Sequence, residues 1–227
     1  MIRFVVLGDI HAPFHSKWAL GRVLDFIKEK KPRYVVQVGD AYDFFSLSRF
    51  PRNPFIAPID EINEGRQTLV EMWSYIKKIS PKSRCVQLLG NHEDRIHKKM
   101  QAQLPELIGV AKIDHLFQFE GVKTVNDTRE VHVIENIGFQ HGYYSSHAAG
   151  RLAKEHHMNM VCGHTHTGGL KMVPSQGKPL WELNAGLLGD PKSKVMTYTR
   201  SKWNDWTLGF GVIDELGPRF IPLNKKR

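Results

Sequence analysis

Five short, largely apolar runs each break off into a tract of Asp, Asn or His, and this recurrence constrains the fold more than any other feature. FVVL at 4–7 leads into Gly8-Asp9-Ile10-His11, YVVQV at 34–38 into Gly39-Asp40, and CVQLL at 85–89 into Gly90-Asn91-His92-Glu93. Later, GFQ at 138–140 leads into His141-Gly142, and MVC at 160–162 into Gly163-His164-Thr165-His166. Runs this short, bounded by glycine, read as buried strands. In an open α/β sheet ligands collect beyond the carboxyl ends of the strands, so tracts distant in sequence can converge there.

The intervening segments fit that reading. Ser16 is placed to cap a helix running to about Lys30, with Leu20, Val23, Leu24 and Ile27 at helical spacing and Pro32 closing it. A loop rich in Pro, Arg and Phe spans about 44–58, and a second helix covers about Ile59 to Ile79. Strand–helix alternation over the first ninety or so residues predicts parallel strands joined by right-handed crossovers. The second half is richer in strands. Val131 to Gln140 reads as a hairpin turning at Glu135-Asn136, and Ser146 to His156 as a helix. Strands are expected at Met160–Cys162, Leu170–Val173, Leu180–Leu183 and Gly209–Ile213. The expected fold class is α/β, with two mixed sheets packed face to face and helices outside. Residues 1–227 form one domain without repeat or linker.

No apolar run is long enough to span a bilayer, and Asp9 interrupts the opening stretch before a secretory pattern can develop. Cys85 and Cys162 each sit in a strand-like run and read as reduced core residues. A cytoplasmic protein without membrane association is the expectation. The formal net charge of +9 favours partners that carry phosphate, although part of the excess lies in the tail at 224–227.

The polar tracts offer carboxylates, imidazoles and one amide oxygen. Such a mixed set suits Mn²⁺, Fe²⁺ or Zn²⁺ better than Mg²⁺ or Ca²⁺, which prefer oxygen alone. Seven donors exceed the need of one tetrahedral ion, so two ions sharing a carboxylate is the natural count. Two ions about 3.5–4 Å apart can hold a hydroxide between them and clamp both oxygens of an in-line displacement at phosphorus.

The order Asp9-x-His11, Gly39-Asp40-x-x-Asp43, Gly90-Asn91-His92-Glu93, His141-Gly142 and Gly163-His164-x-His166 resembles that of the calcineurin-like metallophosphoesterases. Asn184-x-Gly186 extends the likeness toward the end of the chain. The resemblance implies a four-layer sandwich of two mixed β-sheets flanked by α-helices. It implies that Asp9, His11 and His166 hold one divalent ion, that Asn91, His141 and His164 hold a second, and that Asp40 bridges them. Mn²⁺ is the foremost candidate, with Fe, Zn or Ni as alternatives. His92 matches the family's catalytic histidine, which donates a proton to the leaving oxygen or stabilises charge on the phosphoryl group. Asp43 matches the carboxylate that orients this histidine in some members; a carboxylate partner would raise the imidazole pKa. The plainer reading of Asp43 is a solvated loop residue.

The expected substrate is a phosphate ester. Phe44-Phe45 stands where the family's protein phosphatases carry Arg-Gly, which points away from phosphoproteins. Arg49, Arg52 and Arg95 are candidate substrate-binding residues; Arg95 could equally pair with Glu93 or Asp94 on a helix surface. Phe44, Phe45, Phe50 and Phe55 could stack on a base or anchor the loop to the core. Lys98, Lys99 and Lys171 could extend a backbone track or belong to ordinary solvated faces, and Trp203, Trp206 and Phe210 read as core or dimer contacts. A nucleotide or nucleic-acid hydrolase leads; a phosphatase of phosphoproteins or small metabolites and a non-catalytic scaffold are the alternatives. No separate capping domain is evident, so processive cleavage of a duplex would require a homodimer or another partner.

Overall fold

The computed structural model describes residues 2–49, 56–143, 149–198 and 206–224. The first sheet orders its strands β11-β10-β1-β2-β3-β4. Its parallel centre comprises β1 (Phe4–Leu7), β2 (Tyr34–Val38), β3 (Arg84–Leu88) and β4 (Val122–Val125). β10 (Gly209–Asp214) lies antiparallel to β1, and β11 (Gly217–Pro222) antiparallel to β10. The second sheet orders β5-β6-β7-β9-β8. It comprises β5 (His132–Ile134), β6 (Ile137–Phe139), β7 (Asn159–Cys162), β8 (Gly169–Val173) and β9 (Leu180–Asn184), with β6, β7 and β9 parallel.

Strand alternation builds the layers. Phe4, Val6, Val36, Val86 and Leu88 face Phe139, Val161 and Leu183 across the gap between the sheets. The opposite parity, Val5, Leu7, Val35 and Cys85, packs beneath α1 (Lys17–Lys30) and α2 (Pro58–Ile79). On the far side Met160 and Cys162 of β7 meet Leu152 and Ala153 of α4 (Arg151–His156). Helix, sheet, sheet and helix make the four layers. Each fully buried Val, Leu or Phe stabilises this arrangement by about 1.5–3 kcal/mol.

Local signals explain the long helices. Ser16 Oγ accepts from the Ala19 amide at 3.3 Å and caps α1. α2 opens on Pro58 with Asp60 and Glu61 in its first turn and ends on Lys77 and Lys78, matching the helix dipole at both ends. The final helix is shorter than expected. It begins at Arg151, and 146–148 of its expected span fall outside the described residues.

α3 (Asp94–Gln103), β4 and β11 have no counterpart among the expected elements. Both cysteines are buried and free. No helix among the described residues is long and apolar enough to cross a membrane.

Candidate metal centre

Parallel pairing within each sheet brings the carboxyl ends of β1, β2, β3, β6, β7 and β9 to one side, and the polar tracts leave from there. Backbone bonds join the tracts: Gly163 N donates to His141 O at 3.1 Å within the second sheet, and Leu188 N to Asp9 O at 2.8 Å across the two sheets. The tracts are tightly bent. His11, Asp40, His164 and His166 have φ of 54°, 52°, 70° and 61°. Non-glycine residues rarely enter this left-handed region, and each such residue costs on the order of 1–3 kcal/mol. Four among seven expected ligands is a concentration of strain at one place.

Two glycines let the chain pass behind the carboxylates. A Cβ on Gly90 would stand 2.3 Å from Asp40 Oδ1, and one on Gly163 would stand 2.4 Å from Asp9 Oδ1. Only the residue without a side chain fits at either position.

Two ligand groups result. In the first, His166 Nε2 lies 3.2 Å from Asp9 Oδ2 and 3.0 Å from His11 Nε2. In the second, His141 Nε2 lies 3.2 Å from Asp40 Oδ2 and 3.0 Å from Asn91 Oδ1, with His164 completing the group. Within each His/Asp trio the ligand atoms lie within 4.8 Å of one another. Asp40 acts electrostatically on Asp9, His11 and His166 of the first group as well as on His141 of the second.

The residues fit divalent cations on observations of this structure. Asp9 Oδ2 is buried without a hydrogen-bond partner. The facing Nε2 atoms of His11 and His166 are lone-pair donors if unprotonated, and a cation would satisfy them together with that oxygen. His141 Nδ1 lies 2.9 Å from the Val38 carbonyl, the kind of second contact that fixes a ligating imidazole.

The electrostatics are those of a crowded, dry cluster. Burial pushes Asp9 up to about 7, with His141 and His11 pulling it down and Asp40 adding to the rise. Burial works against protonation of His141, yet Asp40, Asp9 and Glu93 carry it up to about 10. Against its own burial, Asp40 is held well below the usual carboxylate range by His141, His92 and His11.

The model for the family described as calcineurin-like phosphoesterase matches residues 2–168, a span containing all seven expected ligands and His92. The chain belongs to this family. Among curated relatives it is similar to the Gene 54 protein of Mycobacterium phage D29, 23% identical over an alignment covering 97% of this chain and 93% of the relative. Its fold is similar to that of YfcE, a phosphoesterase from E. coli, at 19% identity and a TM-score of 0.45, covering 95% of this chain and 89% of that one. It is also similar to vacuolar protein sorting 29 of Cryptosporidium parvum, at 16% identity and a TM-score of 0.46, covering 100% of this chain and 99% of that one.

Within this calcineurin-like phosphoesterase the neighbours of the ligands depart from the sequence reading. Asp43 is 2% exposed, which removes the solvated-loop alternative. Its Oδ2 lies 3.1 Å from His11 Nδ1 but 3.9 Å from His92 Nδ1. His92 Nδ1 instead lies 2.7 Å from the Asp43 backbone carbonyl. Nor is His92 raised above its ordinary value. Burial drives it down to about 3, with Arg95 and His11 adding to the fall against the pull of Asp40 and Asp43.

Arg95 takes neither helix-surface partner considered for it. Its guanidinium donates to the Asp43 carbonyl at 3.0 Å and lies 3.6 Å from the Asp43 carboxylate. Nη2 of the same group is 2.7 Å from His92 Nε2. Asp94 turns to Lys98 and to the Thr128 and Tyr143 hydroxyls. Glu93 is fully buried and accepts from the Asp40, Tyr42 and Gly90 amides at 3.0, 2.8 and 2.7 Å. It ties the second tract to the third. Glu61 does similar work from α2, accepting from the Phe45 and Ser46 amides at 2.5 and 2.7 Å.

Phe44 and Phe45 are buried and anchor their loop, so base stacking is not their role; Phe50, Phe55 and Arg52 lie outside the described residues. Trp206 packs edge-on against His166 with ring centroids 4.7 Å apart, while Phe210 is core and Trp203 lies outside the described residues. Asn184 Nδ2 donates to Gly163 O at 2.8 Å and Thr165 Oγ1 at 2.9 Å, steadying the last tract. Arg49, Arg95, Lys98 and Lys99 line a groove of about 460 Å³ that reaches the centre at Asn91. Lys171 lies on β8, away from this groove, and the residues at 225–227 are outside the description.

Proposed function

We propose that this chain is a dinuclear-metal hydrolase of phosphate esters, acting on nucleotides or nucleic acids. The observation that carries the reading is the pairing of two buried ligand groups around Asp40, with His92 and Arg95 at their edge. Asp9, His11 and His166 would hold one cation, Asn91, His141 and His164 the other, with Asp40 shared between them. Bound there, two divalent ions, Mn²⁺ foremost and Fe, Zn or Ni otherwise, supply Lewis-acid stabilisation of phosphoryl charge and activation of the attacking water.

The chain's own groups do the rest. Asp43 faces His11 through its carboxylate and His92 through its carbonyl, so one residue orients a proposed ligand and the proposed catalytic histidine. His92 Nδ1 faces that carbonyl, and its Nε2 lies 2.7 Å from Arg95 Nη2 and 3.7 Å from Asp40 Oδ2, at the edge of the two ligand groups. Arg95 remains cationic beside it and is placed to take phosphoryl oxygen charge. The net charge of +9 and the arginines Arg49 and Arg95 support phosphate-rich substrates.

The test is a paired assay with Mn²⁺, comparing p-nitrophenyl phosphate with its bis ester and with single- and double-stranded oligonucleotides. Absence of turnover with Mn²⁺, Ni²⁺, Zn²⁺ and Fe²⁺ alike rejects the enzyme, and preference for a phosphopeptide rejects the substrate class. His92→Ala is expected to lower kcat by about 10²–10⁴ while two equivalents of metal stay bound. A variant that has lost a metal equivalent contradicts the assignment.

A further inference from the structure

We propose that the groove between the turn at Phe45–Leu47 and α3 seats the phosphates of a single nucleic-acid strand beyond the one that reacts. This rests on the phosphoesterase reading and gives it a direction along the surface.

The groove encloses about 460 Å³, several times what a lone phosphoryl group fills, and it begins at Asn91 and Arg95 within the centre itself. Its lining residues include four bases and no carboxylate. Arg95, Lys98 and Lys99 stand at positions i, i+3 and i+4 of α3, so they share one face of the helix. At 1.5 Å per residue, the step from Arg95 to Lys99 advances about 6 Å along the axis, comparable with the spacing of successive phosphates on a strand.

Arg95 is already committed to the Asp43 backbone and to His92, so it serves the reacting centre. Among the described residues Lys98, itself exposed, pairs with Asp94 at 3.5 Å, a contact of small net worth that a phosphate readily replaces. α3 buries none of its own side chains, which leaves its basic face to solvent.

Bare polyphosphate would use the charges alone. Leu47 and Ala102 add apolar wall to the groove, and Gln103 adds an amide beside them. That mixture matches sugar and base between phosphates better than a chain of phosphates without them.

The experiment compares Mn²⁺-loaded wild type with the double variant Lys98→Gln, Lys99→Gln. kcat/KM is measured for p-nitrophenyl phosphate and for a single-stranded 12-mer. Binding of a phosphorothioate 12-mer is followed by fluorescence anisotropy across a salt series. The expected result is an unchanged small ester, within about twofold, and a loss of about tenfold or more on the strand. The slope of log affinity against log salt should become shallower by about 1–2. Equal losses on both substrates, an unaffected strand, or an unchanged salt slope would each overturn the proposal. Tripolyphosphate displacing the strand as well as an equal concentration of strand phosphate would also overturn it. Strand binding that shows the lysine dependence without turnover of any ester removes the hydrolase and keeps the groove. Turnover of the small ester with strand binding indifferent to the lysines does the reverse.

Discussion

At the level of single residues, the centre is a proton store as well as a set of ligands. Without cations, burial lifts Asp9 to about 7 and its carboxylate neighbours lift His141 to about 10, so at neutral pH His141 carries a proton and Asp9 about half of one that a cation must displace. Mn²⁺ binding at pH 7 is therefore expected to release at least one proton. The check is calorimetric titration in buffers of different ionisation enthalpy. The sign is that apparent affinity strengthens from pH 6 to pH 8, by about tenfold per pH unit for each proton released. A heat independent of buffer would show that these groups do not ligate. Glu93 carries a second expectation. Glu93→Ala leaves three amides of the metal-bearing turns without their acceptor and should weaken Mn²⁺ binding by about 10–100-fold. Asp94→Ala, one position on, should leave affinity unchanged. The seven proposed donors stood out in the sequence because their tracts end apolar runs, but the parts played by Glu93 and Glu61 did not. Both are carboxylates in strongly polar surroundings, and nothing in spacing or composition marks a carboxylate that accepts backbone amides from a distant turn. Arg95 was ambiguous for the same reason: besides His92 it reaches backbone carbonyls about fifty positions earlier.

Among the elements, what could be read in advance was whatever buries a periodic face. β1 and β2 have the expected bounds, and α1 and α2 lie within a residue of theirs, because alternating or helical apolar spacing, a Ser cap and a proline all agreed. α3 carries no buried side chain and so has no apolar period to detect. β4 buries only Val125, and β11 contains two prolines, which its position at the sheet edge permits. These elements owe their form to their neighbours rather than to local pattern. The helical layer makes a separate prediction. Trp73 is 1% exposed, and its Nε1 donates to Gln87 Oε1 at 2.8 Å, which ties α2 to β3. Trp73→Ala should cost about 3–5 kcal/mol in urea unfolding, leaving a cavity and an unpaired amide. Metal stoichiometry of the folded variant should stay at that of wild type, since Trp73 touches no ligand.

For the molecule as a whole, the proposed ligands follow strands of both sheets, so cations held by them would fasten one sheet to the other. Each ion held at a hundredfold excess over its Kd would add about 2.7 kcal/mol to stability. For a domain of this size, removal by chelator is expected to lower Tm by about 5–10 °C for each ion, restored by adding Mn²⁺. A melting curve indifferent to chelator would mean that the sheets are held by packing alone. The order of the first sheet has a different consequence, for the chain as it is made. β1 is the earliest strand, yet it lies between β2 and β10, with Phe4 opposite both Tyr34 and Ile213. During translation, one edge of that strand waits for a partner about two hundred residues away. Over that interval the nascent chain carries an open template for mispairing, and its safe passage depends on how well the cell shields it.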